Sequence, residues 1–289
     1  MSKVRSVKNV WSRMIDKNKE LKNVSKIHID LIERLEKAEP SVAELNLSRE
    51  EAEGKLKEGI PYLEGEEDKI ELSSAVIQFR ELSSWTGLGD SRSNFKKMGK
   101  KAEDMEIHHL LKAWLTGESR TIDQFGDKFH LPLDVLFVLV RYSLLPTLHE
   151  YAKEFDQTKV FNEEAWMKDY CPVCGDQHGL AEYRGSERFR HFRCLSCAGD
   201  WVFWRIACPH CDNRDHNKLS TIFIKEEKGS FQIDVCDECN GYVKGINKLD
   251  PSSPIFLLLD DFATFHLDML AREKGYFRVP VKTGNLSKM

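Results

Sequence analysis

All eight cysteines of this 289-residue chain fall in four CxxC pairs, and this feature constrains the fold most. A CxxC turn directs two thiolates toward one ion, and two such turns supply the four tetrahedral ligands that zinc or a single iron accepts. The pattern therefore predicts two metal sites, whose ligands are Cys171, Cys174, Cys194, Cys197, Cys208, Cys211, Cys236 and Cys239.

The spacing of the pairs predicts how they are shared between the sites. The first and second pairs are separated by 19 residues, the third and fourth by 24, and the second and third by 10. Gaps of roughly 15–20 residues are typical of zinc sites and leave room for a hairpin. We expect one site from the pairs at Cys171 and Cys194, and another from those at Cys208 and Cys236. A cross-brace, in which the first and third pairs share an ion, is the alternative.

Four sulfur ligands leave no open coordination position, so such sites are structural or electron-transferring rather than hydrolytic. Free redox-active thiols are a further alternative, but a CxxC redox motif needs a βαβ context that the sequence lacks. Histidines are not expected to be ligands; His210, inside a CxxC turn, should point away from the metal. Phosphate-cradling loops, nucleophile elbows and HExxH are missing from the sequence, which predicts that the protein is not an enzyme.

Charge and hydropathy narrow the class of protein further. The formal net charge is −4, and residues 171–250 contain 11 Lys and Arg against 12 Asp and Glu. Nucleic-acid binding needs concentrated positive charge, so it remains only an alternative, suggested by the arginines of Arg184–Arg193. The start of the chain lacks a secretory signal, and the apolar stretch Val135–Leu148 is shorter than the ~20 residues of a membrane span. We expect a cytoplasmic protein without a membrane span; the sequence leaves its oligomeric state open.

The first half of the chain is predicted to be helical. Ser41 with Glu44, and Ser48 with Glu51, have the spacing of capping boxes. The segment from Pro132 to Phe155 should be a central helix that Pro146 kinks or splits. Periodic apolar positions predict further helices in Ile27–Leu35, Leu72–Leu82 and Ile107–Leu115.

The cysteine-rich part should contain short strands followed by one helix. That helix should begin at Ser253 and Pro254 and end near Gly275. Its aspartates are either polar contacts for a partner or part of a solvated face: Asp260, Asp261 and Asp268. The strands are expected in Arg190–Arg193, Val202–Ile206, Leu219–Lys225 and Phe231–Val235.

The predicted fold class is α+β: a helical N-terminal domain, two rubredoxin-like or zinc-ribbon modules of four cysteines each, and a C-terminal helix. The expected boundaries are a helical domain at 1–165, a first module at 166–205, a second module at 206–250, and a helix with a tail at 251–289.

This arrangement resembles the formate dehydrogenase accessory protein family, FdhE. The resemblance covers about residues 165 to 277 and departs from the family pattern after the fourth pair, where Gly245 is expected to interrupt a strand. The segments that carry it are CPVCG at Cys171–Gly175, HFRCLSC at His191–Cys197, WVFWRIACPHC at Trp201–Cys211, VCDECNGYVKGI at Val235–Ile246 and DDFATFHLDMLAREKGY at Asp260–Tyr276.

The resemblance implies a cytoplasmic accessory protein with two rubredoxin-like modules that are associated with iron. Such proteins bind the catalytic subunit of respiratory, molybdenum- or tungsten-dependent formate dehydrogenases and are needed for that enzyme to become active. We therefore expect two bound metal ions, iron by resemblance or zinc, and a formate dehydrogenase catalytic subunit as partner. A rubredoxin-like redox protein acting during client activation is the alternative function.

Overall fold

The computed structural model describes residues 21–158, 166–225 and 229–278, and the end of the expected C-terminal tail, residues 279–289, lies outside them. The described chain forms two compact units. One contains residues 21–45 and 65–151; the other contains residues 46–64 together with the described residues from 152 onward. The four-domain division expected from the sequence stays a prediction.

Helices dominate the first half of the described chain, as the periodicity predicts. A short 3₁₀ helix at Thr86–Ser91 precedes the fourth α-helix. The α-helices are α1 (Leu21–Leu35), α2 (Arg49–Lys57), α3 (Ser73–Leu82), α4 (Arg92–Lys101), α5 (Asp104–Thr116), α6 (Ser119–Phe129) and α7 (Leu133–Thr158).

Only one of the two expected capping boxes begins a helix. The Ser48 hydroxyl accepts the Glu51 amide at 3.2 Å, and the Glu51 carboxylate accepts the Ser48 amide at 2.8 Å, at the start of α2. The prediction at Ser41 is wrong, because no helix begins there. The Ser41 amide donates to Ser74 Oγ at 3.3 Å, so this backbone is satisfied by a side chain instead.

Helix α7 continues through Pro146 without a break, so the expected splitting does not occur. An internal proline costs about 3 kcal/mol. Burial of each leucine contributes roughly 1.5–3 kcal/mol, and Leu136, Leu139 and Leu144 are fully buried along this helix. Burial therefore outweighs the missing hydrogen bond.

None of the described helices is by itself long and apolar enough to cross a membrane; the combination of Ser119–Phe129 with Leu133–Asp156, bent by 113°, meets the length and composition criteria.

The cysteine-rich part forms one six-stranded sheet in the order β3-β2-β1-β6-β5-β4. Each half is an antiparallel three-stranded meander, and β1 joins β6 by parallel pairing from Ala181↔Gly245 to Arg184↔Lys248. The sheet is therefore continuous across both cysteine modules. The strands are β1 (His178–Arg184), β2 (Phe189–Cys194), β3 (Asp200–Val202), β4 (Leu219–Ile222), β5 (Phe231–Cys236) and β6 (Tyr242–Lys248).

The expected strand Val202–Ile206 is mostly wrong, because β3 already ends at Val202. The guanidinium of Arg190 donates to the carbonyls of Trp204 and Ala207, the second at 2.6 Å. These carbonyls are held by a buried side chain, so the connection between the modules follows an irregular path.

Gly245 does not interrupt a strand, contrary to the expectation, but lies inside β6. A Cβ atom on Gly245 would come within 2.3 Å of the Tyr183 ring on β1. Glycine at this position allows the Tyr183 ring to approach the backbone of β6 closely.

The expected single C-terminal helix is a pair, α8 (Pro254–Ala263) and α9 (Phe265–Glu273). Thr264 separates them: its hydroxyl donates to the carbonyls of Asp260 at 2.7 Å and Asp261 at 3.1 Å. A side chain that competes for helix carbonyls favours such a break. Leu257 of α8 and Leu267 of α9 pack in hydrophobic clusters with residues of one sheet face.

The aspartates of this helix pair form internal ion pairs, and the expectation of a solvated or partner-contacting side chain is wrong for the buried Asp268. Asp268, 5% exposed, accepts the Lys244 ammonium at 2.6 Å and the Tyr242 hydroxyl at 2.7 Å. The carboxylate of Asp260 pairs with Lys248, and the carboxylate of Asp261 lies 3.0 Å from Lys244. These contacts fasten the helix pair to β6.

Candidate metal centres

The first two cysteine pairs meet in one cluster. Cys194 is the last residue of β2, so the hairpin of β1 and β2 returns the chain to the turn at Cys171. The Sγ atoms of Cys171 and Cys197 are 3.5 Å apart, as are those of Cys174 and Cys194, and all four lie within 4.8 Å of one another.

The last two pairs form an equivalent cluster. Cys236 is the last residue of β5. The Sγ atoms of Cys208 and Cys239 are 3.6 Å apart, and those of Cys211 and Cys236 are 3.8 Å apart. The structure thus groups the pairs sequentially, not as a cross-brace.

The same backbone turn occurs at all four pairs. The amide of each leading cysteine donates to the carbonyl five residues later, at 2.7–3.0 Å. The residue four positions after each leading cysteine has a positive φ, which closes the turn in the left-handed region. These residues are Gly175 (φ 75°), Ala198 (62°), Asp212 (54°) and Asn240 (54°).

Backbone amides within these turns also face the sulfurs. Donors to sulfur stabilise the thiolate form that a metal needs. In the first cluster Val173 donates to Cys171 at 3.4 Å, Ser196 to Cys194 at 3.4 Å and Gly199 to Cys197 at 3.3 Å. Any Cβ at Gly199 would lie 2.9 Å from the Cys171 sulfur, so glycine permits this close approach.

Both clusters fit a tetrahedral ion. With metal–sulfur bonds of about 2.3 Å, the edges of a tetrahedral site are about 3.8 Å long. The observed sulfur separations of 3.5, 3.5, 3.6 and 3.8 Å match that edge and are far longer than a disulfide bond. Each cluster could hold one metal ion, and the all-sulfur donor set suits zinc or iron.

Protonation of the thiols depends on their surroundings. Burial raises the pKa of the Cys208 thiol. Burial also favours the protonated form at Cys236, but N–H donors from Cys239, Asn213 and Glu238 outweigh it and lower the pKa of Cys236 to about 7. A cation bound between the sulfurs would take the place of the remaining protons.

The clusters differ in exposure. Cys171, Cys194 and Cys197 are all 0% exposed, whereas Cys211 in the second cluster is exposed to solvent. Solvent and small molecules therefore reach the second cluster more readily.

Two histidines close in sequence to the cysteines, His178 and His210, belong to neither cluster. The rings of His178 and His210 stack at 5.4 Å, and His178 stacks on Phe192 at 4.0 Å. The Nε2 atom of His210 lies 3.2 Å from the Tyr242 carbonyl oxygen. Burial, with a smaller contribution from His210, lowers the pKa of His178 to about 3, so this ring is neutral at pH 7.

A segment far from the cysteines in sequence, which was not predicted to be part of the site, forms hydrogen bonds with the first CxxC turn. The amides of Tyr62 and Leu63, after α2, donate to the carbonyls of Pro172 at 2.8 Å and Val173 at 2.9 Å. Those carbonyls lie inside the first CxxC turn. No cysteine or periodic pattern marks this segment, so nothing local in the sequence signals the contact.

The fold and the clusters define a class: an α+β protein whose two four-cysteine ribbon modules share one sheet. Residues 206–283 match the model of the FdhE C-terminal domain. The family model and the curated relatives agree: this chain is similar to FdhE proteins.

The individual relatives show how far the similarity extends. An FdhE homologue of Aquifex aeolicus is 35% identical over 146 residues, which are 50% of this chain and 49% of the relative. One of Stutzerimonas stutzeri is 34% identical over 112 residues, 37% of this chain and 35% of the relative. These alignments thus span half or less of the curated relatives.

The crystal structure of the FdhE protein from Pseudomonas aeruginosa has a similar fold. It is 22% identical, with a TM-score of 0.58, and the match covers 93% of this chain and 88% of that one.

Proposed function

We propose that this protein is an accessory protein that binds the catalytic subunit of a respiratory formate dehydrogenase in the cytoplasm during maturation. It acts by holding that subunit rather than by catalysing a reaction of its own. Similarity to FdhE proteins supports this proposal.

The observation that carries the proposal is the pair of all-sulfur clusters. In each cluster the protein supplies four donors at tetrahedral spacing, so an ion there would have no position left for a substrate. Ions of this kind stabilise small modules that bury little apolar surface on their own. The modules then present a fixed surface to a partner.

Co-purification tests the proposal directly. Tagged protein should retain the formate dehydrogenase catalytic subunit from cells grown to express that enzyme, and deletion of the gene should abolish formate dehydrogenase activity. Wild-type protein supplied in trans should restore the activity. A deletion strain with full activity would contradict the proposal.

The eight cysteines would hold two metal ions, one in each cluster. Each ion would stabilise the fold of its module and, if it is iron, could also carry one electron. Metal analysis of protein purified without air distinguishes these cases. Zinc has no redox chemistry, so full occupancy by zinc would limit the sites to a structural role.

One observation favours a second function, electron exchange during activation of the client. Cys211 exposes the second cluster to solvent, and an exposed cluster exchanges electrons more readily than a buried one. The test is a reversible visible-absorption change on reduction of anaerobically purified protein. Protein that contains iron but does not bleach with dithionite would rule this function out.

A further inference from the structure

A cavity of about 400 Å³ lies beside the second cluster, within the unit that contains both modules. Side chains alternate between the two faces of a strand. Ile233 of β5 packs toward α9, whereas its neighbours Gln232 and Asp234 line the cavity. The cavity therefore occupies the sheet face that α8 and α9 leave uncovered, and its size is in the range of ligand pockets.

The floor of the cavity is a fixed polar network around Asp234. Its carboxylate accepts Thr221 Oγ1 at 3.0 Å, Gln232 Nε2 at 2.9 Å and the hydroxyl of Tyr183. The guanidinium of Arg190 also donates to this carboxylate, at 3.4 Å. With four donors around it, Asp234 needs no further partner from a ligand.

Positive charge exceeds negative charge among the lining side chains. Three guanidinium groups, those of Arg188, Arg190 and Arg205, face one carboxylate, that of Asp234. The Nε atoms of Arg188 and Arg190 are buried without a hydrogen-bond acceptor among the described residues. Buried donors of this kind are stabilised by a ligand that brings acceptor oxygens.

The sulfur cluster, whose thiolates would carry negative charge, borders the cavity through Cys208 and Cys236. The guanidinium of Arg188 lies toward the other end of β5, where it donates to Gln232, four residues and roughly 13 Å along the strand from Cys236. Arg205 donates at 3.3 Å to the carbonyl of Glu187, the residue that precedes Arg188. The guanidinium groups of Arg188 and Arg205 form the positive end of the cavity.

Apolar groups and an open strand edge adjoin the positive end. Ile206 is 65% exposed and Phe223 is 38% exposed, and both line the cavity. Phe223 follows β4, which is an edge strand of the sheet as far as the chain is described. An exposed edge offers backbone hydrogen bonds to an extended peptide.

We propose that this cavity receives an extended segment of the client polypeptide in which an acidic side chain adjoins a large apolar one. The carboxylate binds Arg188 and Arg205, the apolar side chain packs between Ile206 and Phe223, and the backbone lies along β4. This inference rests on the proposed function, since it assigns the client to a particular surface.

Matched variants test the surface in full-length, metal-loaded protein. Ile206→Asp and Arg205→Glu should each weaken binding of the purified catalytic subunit at least about tenfold. Ile77→Asp and Arg92→Glu are the controls: Ile77 is equally exposed at 65%, and Arg92, like Arg205, bonds a backbone carbonyl, Ser84 O, at 2.9 Å. Both controls should bind like wild type.

A photo-crosslinking residue identifies the bound segment. Benzoylphenylalanine at position 206 should capture one client peptide that contains Asp or Glu next to a large apolar residue, and the same group at position 77 should not capture it. Capture of a segment without an acidic residue would overturn the inference, as would variants at 205 and 206 that bind normally. Wild-type protein that fails to bind the client would instead refute the proposed function.

Discussion

The ammonium group of Lys244 lies 2.6 Å from a carboxylate oxygen of Asp268, and both side chains are more than nine-tenths buried. Asp268→Ala would leave that ammonium facing only the Asp261 carboxylate and carbonyl, and would remove the acceptor of the Tyr242 hydroxyl. A buried charge left without any partner costs about 3–5 kcal/mol, and the remaining Asp261 carboxylate should keep the cost of this change below that range. We expect this smaller loss in the free energy of unfolding, measured by denaturant titration.

The control removes a carboxylate from an exposed pair. Arg49 lies 2.8 Å from Glu53 on the surface of α2. Exposed ion pairs of this kind contribute little to stability, so Glu53→Ala should leave the denaturation midpoint unchanged. Equal shifts in the two variants would show that the buried pair has no special role.

Each cluster should lose its own ion when one sulfur is removed. Cys171→Ser and Cys208→Ser should each lower the bound metal from two ions per chain to one, because three remaining sulfurs bind far more weakly. Elemental analysis after gel filtration measures the ratio. Ser196→Ala changes the first cluster without removing a sulfur and should retain both ions; unchanged content in the cysteine variants would refute the assignment of the ligands.

The two ions should leave at different rates. The second cluster includes the solvent-exposed Cys211, whereas three sulfurs of the first cluster are fully buried. If the free energy of local opening differs by about 1.4 kcal/mol between the clusters, their rates of metal release differ roughly tenfold. With a coloured chelator in excess, wild-type protein should release metal in two phases, and Cys208→Ser should lack the fast one. A single phase in the wild type would contradict this prediction.

Gly245 should tolerate no larger side chain. Gly245→Ala would place a Cβ within 2.3 Å of the Tyr183 ring, and overpacking of this kind costs about 1–3 kcal/mol. Thermal unfolding measures the loss. Gly54→Ala is the control, because nothing lies within 4 Å of its Cβ position inside α2, and alanine there should stabilise the helix. A neutral Gly245→Ala would show that the ring moves aside.

The cysteine spacing was sufficient to predict the composition of both clusters. Each CxxC turn is local, and the gaps of 19 and 24 residues each suit one returning hairpin, so sequence distance and spatial distance agree there. The helices whose apolar positions repeat at helical spacing were predicted for the same reason. Whether the clusters bind metal stays a prediction.

The parts that could not be predicted depend on contacts between distant segments. Asp268 was taken as a partner contact or a solvated residue because its partner, Lys244, lies 24 residues away on another element. Gly245 was expected to interrupt its strand because the sequence of that strand does not show its neighbour. The Tyr183 ring of β1 occupies the space that a side chain at Gly245 would need. A pattern within one segment contains no information about such neighbours.

The parallel seam between β1 and β6 joins the first strand of one module to the last strand of the other. Neither module therefore has a complete sheet of its own, and a single module moved into another protein would lose a pairing strand. A chain ending after Arg205 would keep β1 but lose β6, and a row of unpaired backbone groups would become available for self-association. Swapping of modules between relatives would have to preserve this seam as well as the eight sulfurs.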